Sequence, residues 1–250
     1  MEVINLKKVL IVLLSLFVFA NIQANAYGFG FKKNNNHVKP DIGKYQEILD
    51  NTDSYYVGSD EKIIYLTFDA GYDNGVLSSI LKTLSDKNIK ATFFVTGDFL
   101  NREQDLVFEI LNNNHLIGNH TYGHKNITKL SNDNIINEIK KLEDKYKEIT
   151  GKEMPKLFRP PEGEFDKRSL EVVKSMGYKT FFWSVAYDDW NTNNQKGASY
   201  GYNKVMSNIH NGAIILLHTV SKDNAEALPK IIDDLKYQGY VFKGLDEFYA

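Results

Sequence analysis

From residue 62 to residue 245 the chain alternates short apolar runs with longer segments whose apolar residues recur at helical spacing. The short runs are "IIYLTF" (63–68), "ATFFVT" (91–96), "HLIGNH" (115–120), "LF" opening 157–163, "KTFFWSV" (179–185), "AIILLH" (213–218) and "YVFKGL" (240–245). Between them lie helical patterns at 74–87, 103–114, 131–150, 167–177, 199–210 and 225–239. In 131–150 the apolar residues Ile135, Ile139, Leu142 and Tyr146 share one helix face, Ser131 is placed to cap the start, and Gly151 to stop it. Strands that are apolar on consecutive residues are buried on both faces, which suits a parallel sheet covered by helices. Repeated βα units of this kind predict an α/β fold: a single domain built on a closed or partly closed barrel of parallel strands.

The pattern is absent upstream of residue 61. Residues 27–40, "YGFGFKKNNNHVKP", have no clear period and read as a loosely packed arm pinned by Phe29 and Phe31. Residues 42–51 can form a short helix within an arm spanning 27–60. Residues 1–26 read as a secretory signal peptide. Lys7 and Lys8 precede an apolar run from Val9 to Ala20, and Ala24-Asn25-Ala26 fits a cleavage site. The run is short for a membrane span, which needs about 20 residues, although an uncleaved N-terminal anchor is the alternative. Either way the expected location is outside the cytoplasmic membrane, secreted or membrane-anchored. The barrel domain is assigned to 61–250.

Composition narrows the chemistry. The chain has 250 residues with Lys+Arg 30 and Asp+Glu 32, so no basic excess points to nucleic acid. It has no cysteine, which excludes disulfides, thiolate metal sites and cysteine nucleophiles. Any metal must be held by His, Asp, Glu or water.

The ionisable residues of interest all follow predicted strands: Asp69 the first, His120 the third, Arg159 the fourth, Asp188 and Asp189 the run at 179–185, and His218 the run at 213–218. In parallel βα folds the C-terminal strand ends form one face, where reactive groups gather. "HTYGH" places His120 and His124 four residues apart, and on a helical turn both rings could share one divalent ion. The plainer alternative is two surface histidines. Asp69, in "YLTFDAGYDNG", is either a turn former or a general base toward water. Arg159 can hold Asp69 ionised, with Pro160 and Pro161 fixing the backbone that presents it. His218 is either a satisfied core histidine or a general acid kept cationic by Asp189. Of the two tryptophans, Trp183 and Trp190, either can be core; Trp190, after two aspartates, better suits the wall of a sugar site.

Together "TFDAGYD", "HTYGH", "RPPEGEF", "WSVAYDDW" and "ILLHTVSKDNAEALP" resemble, in order, the five motifs of the polysaccharide deacetylases, carbohydrate esterase family 4. The match runs from about 61 to 245, and within the family the chain is most similar to the delta-lactam-biosynthetic de-N-acetylases of spore-forming bacteria. The resemblance implies a distorted (β/α) barrel of about seven parallel strands, one short of a regular one. It implies Asp69 as base, His120 and His124 as ligands of a divalent metal (zinc, with cobalt or manganese as alternatives), Arg159 as orienter of the base, Asp189 as partner of the acid, and His218 as that acid. Trp190, Pro161, Gly163, Leu216 and Asp73 are assigned to substrate binding. The implied function is de-N-acetylation of N-acetylmuramic acid in spore-cortex peptidoglycan, permitting delta-lactam formation. The expected protein is a monomer acting on glycan strands, with a separate amidase removing the stem peptide first.

Ala70 departs from the family, whose usual third metal ligand is an aspartate at that position. A methyl group cannot coordinate, so water or Asp73 must complete the shell. Arg159 is given a second task, reading the lactyl carboxylate of muramic acid. Two other readings stay open: an N-acetylglucosamine deacetylase of peptidoglycan or chitin-like polymers, and a non-catalytic glycan-binding protein.

Overall fold

The computed structural model describes residues 26–33 and 36–248. Apart from Ala26, the expected signal segment lies outside the described residues. The strands are β1 (Tyr27–Gly28), β2 (Ser54–Tyr55), β3 (Ile63–Ala70), β4 (Thr92–Val95), β5 (Leu116–Asn119), β6 (Leu157–Phe158), β7 (Glu164–Phe165), β8 (Lys179–Phe181), β9 (Ala213–His218) and β10 (Val241–Lys243). The helices are α1 (Gln46–Asn51), α2 (Leu77–Asp86), α3 (Gly97–Arg102), α4 (Gln104–Asn112), α5 (Asn132–Thr150), α6 (Lys167–Ser175), α7 (Ala198–Met206) and α8 (Lys222–Tyr237).

One curled sheet with all strands parallel organises the molecule. β9 occupies one edge of β3 along Ile64–Asp69. The other edge is shared end to end: β10 pairs Ile63–Tyr65, and β4 pairs Thr67–Ala70. The curl therefore runs β9-β3-β4-β5-β6-β8-β2, seven strands as expected. Bridges from Val57 to Ala213 and from Val185 to Ile215 bring the far end back against β9.

The two-residue period of the strands decides what faces inward. On β3, Ile64, Leu66, Phe68 and Ala70 enter the large cluster beneath the helices, whereas Ile63 and Tyr65 enter an interior cluster with Phe94, Phe181 and Ile214. Continuing that alternation places Thr67 and Asp69 on the interior side. On β9, Ile214 is interior and Ala213, Ile215 and Leu217 face the helices, so Leu216 and His218 also point inward. Helix ends follow local chemistry. The Ser131 side chain accepts a hydrogen bond from Asn134 N, and Gly151 ends α5 at φ 69°, a left-handed angle that glycine adopts without strain.

Two expectations are corrected, and one helix was not foreseen. The run 179–185 is a strand only to Phe181; beyond it, the Ser184 and Val185 amides cross to the Ile214 carbonyl. A helix, α3, follows β4 directly, capped by Thr96. The arm contributes more than an appendage: β2 pairs in parallel with β8, and β1 pairs antiparallel with β7. Phe29 is buried and stacks on Phe182 at 4.4 Å, and its amide donates to Gly163 O at 2.9 Å. Phe31 packs half-buried on the same cluster.

Phe29→Ala deletes this anchor. It should destabilise the protein by about 3 kcal/mol, read as a lower urea midpoint at unchanged slope. An unchanged midpoint would mean that the arm contributes nothing to the fold.

Candidate active site

The interior-facing ends of β3, β5, β6 and β9 converge on a cleft of about 1010 Å³. At its base Arg159, wholly buried, threads between β3 and β8. Its Nη1 donates to Asp69 Oδ1 at 2.8 Å and its Nη2 to Thr67 Oγ1 at 2.8 Å. Its Nε donates to Phe181 O at 3.0 Å and its Nη2 also to Phe182 O at 3.2 Å. The guanidinium lies over the Phe94 ring at 4.3 Å. Burial alone raises the Asp69 carboxyl, but Arg159, then His120 and His218, outweigh it and hold Asp69 below the usual carboxylate range. Asp69 is thus an ionised acceptor with Oδ2 turned toward His120 Nε2 at 3.5 Å.

The two histidines of "HTYGH" come together without a helical turn. The segment is a loop in which Thr121 and His124 both have positive φ, 62° and 49°. Such angles are strained for non-glycine residues, most of all for a β-branched one. The surrounding structure enforces them. The Asn119 carboxamide accepts from Thr121 N at 2.9 Å, and the buried Glu138 accepts from Gly123 N at 2.6 Å and pairs with Lys125. The rings of His120 and His124 then sit 4.9 Å apart. His120 Nδ1 bonds to Arg159 O at 2.8 Å, leaving Nε2 as a lone-pair donor beside Asp69. Burial pushes the His120 pKa down to about 4, against the pull of Asp69.

These atoms suit a divalent ion. A neutral imidazole whose far nitrogen is fixed by a backbone carbonyl is the usual arrangement of a metal-bound histidine. Among the described residues, no cluster of three His, Asp or Glu side chains is arranged to cage an ion. Ala70 is buried in the cluster beneath the helices. Asp73 is corrected as a candidate ligand or substrate contact: its oxygens accept from Gly75 N at 2.9 Å and Leu77 N at 3.2 Å, closing the turn into α2. The donors are therefore His120 and His124 beside Asp69.

Across the cleft, Asp69 and His218 are paired in register on β3 and β9. His218 Nδ1 bonds to Asp189 Oδ1 at 2.7 Å, and the His218 amide donates to Asp189 Oδ2 at 2.8 Å. Burial by itself lowers the His218 pKa, but its hydrogen bond to Asp189 and the charges of Asp189 and Asp69 raise it above the ordinary histidine value. Asp189 is itself positioned by Asn224, whose Nδ2 donates to Oδ2 at 2.5 Å.

Of the residues assigned to substrate, Trp190, Gly163 and Leu216 line the cleft. Trp190 stands 60% exposed and is therefore open to a ligand rather than part of the core. Gly163, at φ 66°, has Trp183 and Phe29 against it, and an added Cβ would meet Trp183 at 2.7 Å. Pro161 is corrected: it is buried in the turn at 161–163 and is not among the residues lining the cleft. Arg159 is corrected as a carboxylate reader, since it is fully buried and engaged. Sequence reasoning passed over Tyr72, Glu138 and Asn224. Tyr72, an aromatic in a polar turn, lines the cleft and is 47% exposed. Glu138 was visible as an acid on the apolar stripe of α5, beside Ile135 and Ile139.

Residues 57–181 match the family model for polysaccharide deacetylase. The chain is 48% identical over 230 residues to a 30.6 kDa protein of Geobacillus stearothermophilus, covering 91% of this chain and 87% of that protein. It is 44% identical over 221 residues to the peptidoglycan-N-acetylmuramic acid deacetylase PdaA of Bacillus subtilis, covering 88% of this chain and 84% of that protein. The solved structure of Bacillus subtilis PdaA, a family 4 carbohydrate esterase, matches with a TM-score of 0.87 at 43% identity, over 90% of this chain and 97% of that one.

Two variants test the electrostatics. Arg159→Met leaves Asp69 buried without its partner and should cost roughly 3 to 5 kcal/mol at neutral pH. A group with a lowered folded pKa contributes stability above its unfolded pKa, so this deficit should shrink as the pH falls below about 4. A deficit that does not change with pH would show that packing, not charge, is lost. Asp189→Asn should lower the His218 pKa, measured by histidine NMR titration; an unshifted titration would rule out Asp189 as its source.

Proposed function

The chain belongs to the polysaccharide deacetylase family, and from that premise we propose that it removes the acetyl group from N-acetylmuramic acid residues of peptidoglycan. The observation that carries this reading is the pairing of Asp69 and His218 on adjacent strands with opposite protonation preferences, at the base of an aromatic-rimmed cleft. The specificity named for the Bacillus subtilis relative supports muramic acid as the sugar.

Asp69, ionised, takes a proton from a water that attacks the acetyl carbonyl carbon. The resulting tetrahedral intermediate collapses as His218, protonated and fixed by Asp189, gives its proton to the departing nitrogen. The C–N bond breaks, leaving acetate and a free amine. His120 and His124 would hold a divalent ion, zinc in the first instance and cobalt or manganese as alternatives; bound there, it would polarise the carbonyl and acidify water. Arg159 keeps Asp69 charged and aimed. Trp190 and Tyr72 offer aromatic faces to pyranose rings.

The freed amine can condense with the lactyl carboxyl on the same sugar, expelling water and closing a delta-lactam, the modification of spore cortex. We place the protein outside the cytoplasmic membrane, as a monomer acting after an amidase has removed the stem peptide.

Peptide-free glycan strands treated with the protein plus zinc, cobalt or manganese should lose acetyl from muramic residues, read by mass spectrometry. No loss with any metal would refute the activity; loss confined to glucosamine residues would reassign the substrate. His218→Ala should retain strand binding while kcat falls about 100-fold or more. Undiminished turnover would remove His218 as the acid.

A further inference from the structure

The muramic and glucosamine residues of a glycan strand differ in one charged group. Muramic acid carries a lactyl ether whose carboxylate is free once the stem peptide is gone and amide-linked, hence neutral, before that. A cleft that selects peptide-free muramic acid therefore needs a cation in reach of the sugar. Arg159 does not serve, because it is wholly buried, paired with Asp69, and spends four of its five N–H donors on Asp69, Thr67, Phe181 and Phe182.

Among the described residues lining the cleft, the one lysine or arginine is Lys33. The cleft is otherwise acidic, lined by Asp69, Asp98, Glu162 and Asp188. Asp69 and Asp98 are engaged by Arg159 and Arg102. No carboxylate among the described residues lies within ion-pair distance of Lys33. Its presentation is built into the arm. Phe29, Gly30, Phe31 and Lys33 line the cleft, and Lys32 does not. The segment is tied down at both ends, by the β1–β7 pairing and Phe29 N to Gly163 O on one side, and by Lys32 N to Asp41 O at 2.9 Å on the other.

We propose that Lys33, carried on the N-terminal arm, is the specificity residue that pairs with the free lactyl carboxylate of muramic acid. This rests on the muramic reading above. In an acidic cleft an anionic substrate is repelled unless a cation pairs with it locally, and Lys33 supplies that cation. The stem peptide abolishes the charge that Lys33 reads, so the same residue disfavours strands that still carry it.

The test compares kcat/KM on peptide-free muramic strands, on the same strands with the lactyl carboxyl methyl-esterified, and on strands bearing stem peptide. The wild type should prefer the free acid. Lys33→Met should reduce kcat/KM on the free acid roughly three- to tenfold, through KM. It should leave the ester rate unchanged, Lys33→Arg should retain the preference, and Lys32→Met should match the wild type. Equal rates of wild type and Lys33→Met on the free acid would overturn the role of Lys33 while leaving muramic deacetylation standing. A Lys33 dependence seen only on peptide-bearing strands would overturn the lactyl assignment. A wild type inactive on all muramic strands but active on N-acetylglucosamine oligomers would overturn the muramic reading, and this proposal with it.

Discussion

The architecture turns on one buried cation. Arg159 leaves β6, crosses the interior of the curl, and reaches Thr67 and Asp69 on β3, the carbonyl of Phe181 at the end of β8 and that of Phe182 just after it. An arginine removed from water costs several kcal/mol unless every donor finds an acceptor and its charge finds a counterion. Those acceptors come from distant parts of the chain, so the strands must hold their relative positions for the charge to be tolerated. The run at 179–185 stops being a strand where its carbonyls are needed by the guanidinium. What looks like an irregular strand is the geometry that allows a charged pair at the base of the cleft.

The barrel was legible because its strands are buried on both faces, and consecutive apolar residues are a strong signal. The parity of β3 and β9 was equally present in the sequence: Asp69 lies two residues beyond Thr67, and His218 two beyond Leu216. What could not be read were features fixed by distant contacts. β2 is two residues long and owes its existence to β8. The arm carries no periodicity, yet it supplies a wall of the cleft through Phe29. "HTYGH" suggested a helical turn because spacing alone cannot distinguish a helix from a loop closed by Asn119 and Glu138. Asp73 had the residue type of a ligand, but its carboxylate closes the turn into α2, a common use of aspartate that sequence could not separate from coordination. Arg159 was found as partner of Asp69, and its unsuitability for a second task became clear only from its burial.

The histidine loop shows where conformational strain resides. Two non-glycine residues in the left-handed region cost of order 1–3 kcal/mol each, and the buried Glu138 and Asn119 side chains offset this with hydrogen bonds to the loop backbone. A relaxed loop would separate the rings. The same residues that hold the loop therefore make His120 and His124 a pair, and Arg159 O fixes which nitrogen of His120 faces Asp69. Rigid presentation matters more here than in a site with an additional carboxylate, because Ala70 contributes no donor to compensate for a misplaced ring.

The groups assigned to proton transfer in the proposed mechanism, and their partners, form a chain of alternating charge: Arg159, Asp69, His218, Asp189. His218 lowers the Asp69 pKa, and Asp69 together with Asp189 raises that of His218. A base that must be bare and an acid that must be protonated can thus sit side by side at one pH, although burial works against the charge on each. Isolated in the same surroundings, both would drift toward neutrality, and neither would hold the protonation state that amide cleavage needs. The apolar walls around them strengthen the coupling, since charges interact more strongly where water is excluded. The proposed reading of the lactyl carboxylate by Lys33 lies outside this balanced chain, on the arm that lines the cleft.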